Sequence, residues 1–229
     1  MVLGIVGKDT QFLLDIDRRI TELLPYRNPV SLLGEFTVQG DSAEIVADGG
    51  NLVFASAEGI YVTLTTNAVT NNEAYVDGNR QYSRQKEPAF HCRFRLNHSS
   101  FVRMFIGLTS EATLSVLSSS LPTGSYAGLY VNTGDDLSFS SIRGSGGSPV
   151  KEIGEFGALD TGIHDFYMWV KKSGGHDEVS MQLDDGDMVV YTTTLPSAAD
   201  IMRYIVGVST RQSSAKSIDI FKTSINQEV

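Results

Sequence analysis

The chain has 229 residues, 41% of them hydrophobic, with 18 basic against 27 acidic side chains and a formal charge of −9. That size and apolar content suit one large domain with a real core and exclude wholesale disorder, while the acid excess argues against a nucleic-acid partner, whose phosphates demand a basic surface. Cys92 is the only cysteine, which excludes an internal disulfide and a cysteine-rich zinc site. No apolar run approaches the roughly 18–20 residues of a membrane-spanning helix. Met1 to Gly7 lacks the basic and long apolar regions of a signal peptide, so synthesis in a reducing cytoplasm is expected.

In chain order, the first signal is helical. Asp9 or Thr10 can cap a helix starting near Gln11, and Phe12, Leu13, Ile16, Ile20, Leu23 and Leu24 fall on one apolar stripe at helical spacing. Asp15 with Arg19, and Arg18 with Glu22, form i,i+4 pairs on the polar side; Pro25 and Pro29 end the element. This helix, over about residues 10–24, sets an arm (1–33) apart from the rest of the chain (34–229). The stripe must be covered, either by the domain's own sheet or by another protomer or a larger particle. Mixed charges on its polar side argue against a membrane surface.

From Leu32 onward turn signals recur roughly every 8–12 residues, as in a sandwich or barrel. Candidate strands occupy residues 34–39, 43–46, 51–55 and 60–66, followed by a polar loop over 67–85. Phe90, Cys92, Phe94 and Leu96 then alternate with His91, Arg93 and Arg95, the two-residue period of a half-buried strand. A strand over 101–108, a serine-rich excursion over 109–124 and a hairpin of 128–132 with 137–142 come next. The stretch 164–196 reads as three antiparallel strands: Phe166, Met168 and Val170 alternate with Tyr167, Trp169 and Lys171. Gly174-Gly175 then breaks the run, and Asp185-Gly186 marks the second turn. Residues 204–210 and 217–225 close the chain as strands. Cys92, inside an alternating strand, reads as a buried structural thiol.

The matching segments are Leu64-Thr65-Thr66-Asn67-Ala68-Val69-Thr70-Asn71-Asn72-Glu73-Ala74, Phe90-His91-Cys92-Arg93-Phe94-Arg95-Leu96, Phe105-Ile106-Gly107-Leu108-Thr109 and Gly128-Leu129-Tyr130-Val131. His164-Asp165-Phe166-Tyr167, Leu183-Asp184-Asp185-Gly186, Ile205-Val206-Gly207-Val208 and Ala215-Lys216-Ser217-Ile218-Asp219 follow. In this order they resemble the concanavalin A-like (laminin-G-like) jelly roll, in particular copies in tailed-phage virion proteins, from about residue 34 to the end of the chain. The resemblance implies an all-β fold, a two-sheet antiparallel jelly-roll sandwich, and a virion structural role. That role is a capsid decoration or cement protein, or a head or tail fibre module. The partners implied are the chain itself, as a homo-oligomer with a trimer the expected count, and the major capsid or another virion protein.

Three function classes compete. An enzyme of the retaining glycosidase kind needs two carboxyls about 5–5.5 Å apart, and on a jelly roll that means acids alternating along one strand. No strand carries such a ladder, Glu152, Glu155 and Asp160 fall in an irregular segment, and no Gly-x-Ser-x-Gly elbow is present. No cofactor is expected. Asp135 and Asp136 are weak calcium candidates, since paired hard oxygens suit that ion, but Thr-Gly-Asp-Asp is also ordinary turn chemistry. A lectin-like module binding a surface glycan would use an aromatic platform, for which Tyr126 with Tyr130 and Tyr167 with Trp169 are the candidates, although aromatic pairs also fill cores. Structural assembly through the arm is the leading expectation. Deleting residues 1–30 is then expected to abolish self-association, and light scattering that finds the same mass with and without the arm would reject this.

Overall fold

The computed structural model describes residues 43–47, 51–55, 61–78, 82–111, 117, 124–134, 136–146, 150–172 and 177–227. The expected strand at 34–39 and the helical stripe Phe12, Leu13, Ile16, Ile20, Leu23 and Leu24 lie outside them. Fourteen strands follow in order: β1 (Ala43–Ala47), β2 (Asn51–Ala55), β3 (Tyr61–Thr65), β4 (Glu73–Gly78), β5 (Ala89–Leu96), β6 (Val102–Thr109), β7 (Tyr126–Asn132), β8 (Ser140–Gly144), β9 (Val150–Glu152), β10 (Ile163–Lys171), β11 (Glu178–Leu183), β12 (Val189–Tyr191), β13 (Arg203–Thr210) and β14 (Ser217–Asn226). They form two antiparallel seven-stranded sheets, β1-β4-β13-β6-β7-β8-β9 and β12-β11-β10-β5-β14-β3-β2, the jelly-roll sandwich expected from the sequence.

Alternation explains how the sheets meet. Phe90, Cys92, Phe94 and Leu96 of β5, and Phe166, Met168 and Val170 of β10, are buried in one core with Val206 and Val208 of the facing sheet. Their partners along each strand turn to the opposite face. Phe94 meets Phe139 edge-on at 6.2 Å between ring centroids, and Phe90 meets Phe166 edge-on at 6.4 Å. Cys92 sits in this core, where burial pushes its thiol far up, and Thr223 donates a hydroxyl hydrogen bond to its Sγ at 3.7 Å. The thiol is structural, as the alternation implies.

Two strands were missed by the sequence reading. The expected polar loop over 67–85 contains β4, whose Ala74 and Val76 are buried, and which pairs β1 on one side and β13 on the other. Its signal is masked by turn residues at both ends, Asn71-Asn72 and Asp77-Gly78. The second is β9, three residues at the sheet edge, beside a loop that the glycine and serine content had claimed. Close approach of β6 and β7 also constrains sequence. Gly107 and Gly128 are directly paired, and a Cβ on either would fall within 2.4 Å of a carbonyl oxygen of the opposing strand.

The outer face of the first sheet carries a second apolar cluster of Phe105, Leu117, Tyr126, Tyr130, Ile142 and Ile205. Leu117, from the serine-rich excursion, lies over it and accepts the Ser209 hydroxyl at 2.6 Å through its carbonyl. The registers set the β3–β4, β5–β6, β7–β8, β9–β10, β11–β12 and β13–β14 connections at one end of the sandwich. On the second sheet, Asp219 is 2% exposed and accepts Arg95 Nε at 2.9 Å, Arg95 Nη2 at 2.7 Å and Thr63 Oγ1 at 2.7 Å. One carboxylate thus joins β3, β5 and β14. Both Arg95 donors converge on Asp219 Oδ2, and removing the carboxylate leaves a partly buried guanidinium and the Thr63 hydroxyl without this partner, at a cost of about 1–3 kcal/mol. Asp219→Ala is expected to lower unfolding free energy by that order in urea titrations, and a loss under about 1 kcal/mol would refute this account.

Candidate functional site

The strands β10 and β5 position the site. Because Phe166, Met168 and Val170 point into the core, Ile163, Asp165, Tyr167 and Trp169 face outward on the second sheet. Pairing places Tyr167 beside His91, Asp165 beside Arg93 and Trp169 beside Ala89. The rings follow the register: His91 and Tyr167 stack at 4.4 Å and 10° between planes, and Tyr167 and Trp169 at 5.9 Å and 9°. Three nearly parallel rings therefore run across the face, and Trp169 has small neighbours in both adjoining strands, Ala89 and Ser180. Tyr167 is 8% exposed and Trp169 is half-buried, so the indole is the more open end of the ladder.

Carboxylates border the ladder. A cavity of about 180 Å³ is lined by Asp165, Tyr167, Asp184 and Asp185. Asp165 Oδ1 lies 2.8 Å from His91 Nε2, and Arg93 approaches its other oxygen at 3.6 Å. Burial works against ionisation of Asp165, but the His91 hydrogen bond and the positive charge around it, from His91, Arg93 and Lys222, outweigh that and hold the carboxyl below its usual range. The Asp184 backbone is left-handed (φ 52°), a conformation that aspartate tolerates better than most residues. There its amide donates to the Asp165 carbonyl at 2.7 Å and its Oδ1 accepts the Asp165 amide at 2.8 Å. Its Oδ2 lies 2.8 Å from His164 Nδ1, while His164 Nε2 lies 3.0 Å from Asp160 Oδ1. His164 is buried against Phe94 and Phe139, so this turn is anchored to the core from below. Gln182 holds it from the other side, donating to the Gly186 carbonyl at 2.8 Å.

The other sequence candidates fall elsewhere. Tyr126 is 0% exposed and cannot offer its ring to a ligand; Tyr130 is buried in the same cluster, with the Lys151 ammonium 4.7 Å from its ring centroid. The sequence reading missed the apolar cluster that Leu117 joins on this outer face, in which the Tyr126–Tyr130 pair is buried. Asp136 accepts the Leu137 amide at 2.7 Å and the Ser138 hydroxyl at 3.1 Å, ordinary turn chemistry, and Asp135 lies outside the described residues. Among the described residues no group of three or more His, Cys, Asp or Glu side chains is arranged to hold a metal ion.

The acids weighed for glycoside chemistry have structural partners. Asp160 takes His164 and the Gly162 amide, and that amide, more than the histidine, holds its carboxyl below the usual range against a little burial. Glu152 takes Arg143, at 3.2 Å. Glu155 accepts the Tyr191 hydroxyl and, at 2.7 Å, the Ser141 hydroxyl. The Arg143 guanidinium covers the Tyr191 ring at 3.7 Å, and burial pushes the tyrosine hydroxyl up. This cluster clamps β12 of one sheet to β8 of the other.

No protein-family model matches the chain, and no curated protein matches it significantly in sequence. Solved structures match its fold. The carbohydrate recognition domain of Emp47p aligns with a TM-score of 0.61 at 12% identity, over 87% of this chain and 95% of that one. Peanut lectin aligns at 0.59 and 14%, over 87% and 97%. A carbohydrate esterase of the Shiga toxin-encoding bacteriophage phi24B aligns at 0.53 and 15%, again over 87% and 97%. The chain has the lectin-like jelly-roll fold.

Asp165 yields a pH prediction. A carboxyl held below its unfolded value stabilises the fold fully above that value, about pH 4, and loses the contribution as pH falls through the folded one. Asp165→Asn is therefore expected to lower the urea midpoint at pH 7, with the gap to wild type closing below about pH 4. A gap that stayed constant down to pH 2 would contradict the assignment.

Proposed function

We propose that this chain is a glycan-binding module whose site is the Tyr167–Trp169 face and the adjoining carboxylate-lined cavity. The observation that carries the reading is the ladder of three parallel rings, which ends in a half-buried indole on one side and borders, through Tyr167, the cavity lined by Asp165, Asp184 and Asp185. A pyranose has an apolar C–H face that packs on an aromatic plane, and equatorial hydroxyls that carboxylates bind in the same step. Ala89 and Ser180 leave room at the indole, and the His164–Asp184 anchor fixes the rim before a ligand arrives, which limits the ordering cost of binding. Similarity in fold to a carbohydrate recognition domain and to peanut lectin supports the reading.

Capsid decoration remains a separate proposal. It draws on the Phe12–Leu24 stripe and on the resemblance to tailed-phage virion proteins. The two readings meet in a head or tail fibre module that carries a sugar-binding face at the virion surface, as a homo-oligomer.

Trp169→Ala is the direct test. Isothermal titration of the wild type against glycans selected on an array is expected to give saturable binding, weakened at least tenfold in the variant while its urea midpoint stays near wild type. Binding indifferent to Trp169 would place the site elsewhere.

A further inference from the structure

We propose that one end of the sandwich, the end carrying the β3–β4, β5–β6, β7–β8, β9–β10, β11–β12 and β13–β14 connections, pairs with a second copy of this chain about a two-fold axis. Exposed apolar side chains gather there. Among the described residues eight large hydrophobic side chains are exposed, and six of them, Val69, Phe101, Leu137, Ile153, Ile163 and Met188, stand in or beside these connections. Single exposed hydrophobics are ordinary on a surface, whereas one in nearly every connection at a single end marks a contact surface. Phe101 is the clearest case. Its backbone is left-handed (φ 53°), a conformation that is strained for a bulky residue and suits glycine, yet its ring is 54% exposed. The Arg211 amide donates to the Phe101 carbonyl at 2.8 Å and holds the turn in that shape. Strain kept where an apolar ring meets solvent points to a contact outside the fold.

Charge selects the occupant, because the sheet orders divide this end in two. Over one half, the β3–β4, β5–β6 and β13–β14 connections (66–72, 97–101 and 211–216) contain no acid and carry Arg211 and Lys216. Arg103 adds a third cation, donating to Asn71 Oδ1 of the β3–β4 turn at 3.2 Å. Arg103 and Lys216 are buried, so Arg211 meets the surface and the other two act through the field of that half. Over the other half, the β7–β8, β9–β10 and β11–β12 connections (133–139, 153–162 and 184–188) contain no Lys or Arg. They carry seven acids, among them the exposed Asp136, Asp160, Asp185 and Asp187. A two-fold axis in the plane of the end and perpendicular to the sheets sets each acidic half on the other copy's basic half. Such a contact needs one surface that carries both halves of the complement, as this end does. The arrangement also offsets the repulsion that a formal charge of −9 per chain imposes on association. Trp169 lies six residues along β10 from Ile163, about 20 Å from this end, so pairing leaves the indole open.

Sedimentation velocity on the full chain tests the pairing, at protein concentrations from about 1 to 100 μM and in about 50 and 500 mM salt. The mass is expected to double as concentration rises, and the higher salt to move that transition to roughly tenfold more protein. The salt response separates this contact from one made by the apolar stripe of the arm. Phe101→Gly relieves the strained backbone while removing the ring, so it should keep the urea midpoint near wild type and raise the dissociation constant about tenfold or more. Asp187→Lys, on an exposed turn, should weaken pairing severalfold without touching the core. A mass that never rises with concentration would overturn the proposal and leave this end to a partner other than itself. A rise indifferent to both substitutions would overturn it too, by placing self-association elsewhere on the chain.

Discussion

The pairing of β5 with β10 is the constraint on which the rest depends. Each strand has two faces, and the register pairs Cys92 with Phe166 and Phe90 with Met168, which buries them with Phe94 in one core. That register leaves no freedom on the other side. Once the phenylalanines are inside, His91 must lie beside Tyr167, and Arg93 beside Asp165. A slip of one residue would expose the core and dissolve the ring ladder together, so stability and the candidate site are selected by the same pairing.

The rim is held by a different kind of force. The Asp184 carboxylate spans a backbone amide of β10 and the imidazole of His164, which belongs to the inner face of the same strand. The outer turn is thus tied through the sheet to its core. Such a turn does not need the ligand to define its shape, whereas the Asp219 cluster farther along the face, with Arg95 and Thr63, is closed on itself.

How much of this was legible in the sequence varied with the range of the interaction. Strands β5 and β10 were legible because strict alternation is local, and Asp185-Gly186 announced the turn between β11 and β12. Strand β4 was not, because Asn71-Asn72 and Asp77-Gly78 give it the profile of a loop, and its burial comes from pairing with strands far away in the chain. The two tyrosine platforms looked equivalent, since both lie on alternating strands of a two-sided sheet. Which outer face is covered was decided by Leu117, which joins Phe105, Tyr126 and Tyr130 in one buried cluster, a packing that no pattern within either strand records. The cavity was illegible for a related reason. Its Asp165 and Asp184 are nineteen positions apart, and only the β10–β11 hairpin brings them together.

The lone cysteine has a practical consequence. Cys92 lies between the sheets with its thiol hydrogen-bonded and deprotonation disfavoured, so the native protein presents no reactive thiol to alkylating reagents. Any modification of that atom must wait for β5 to separate from the opposing sheet. The chain carries a built-in clock for sandwich opening, read as the rate at which a small thiol reagent labels a single site.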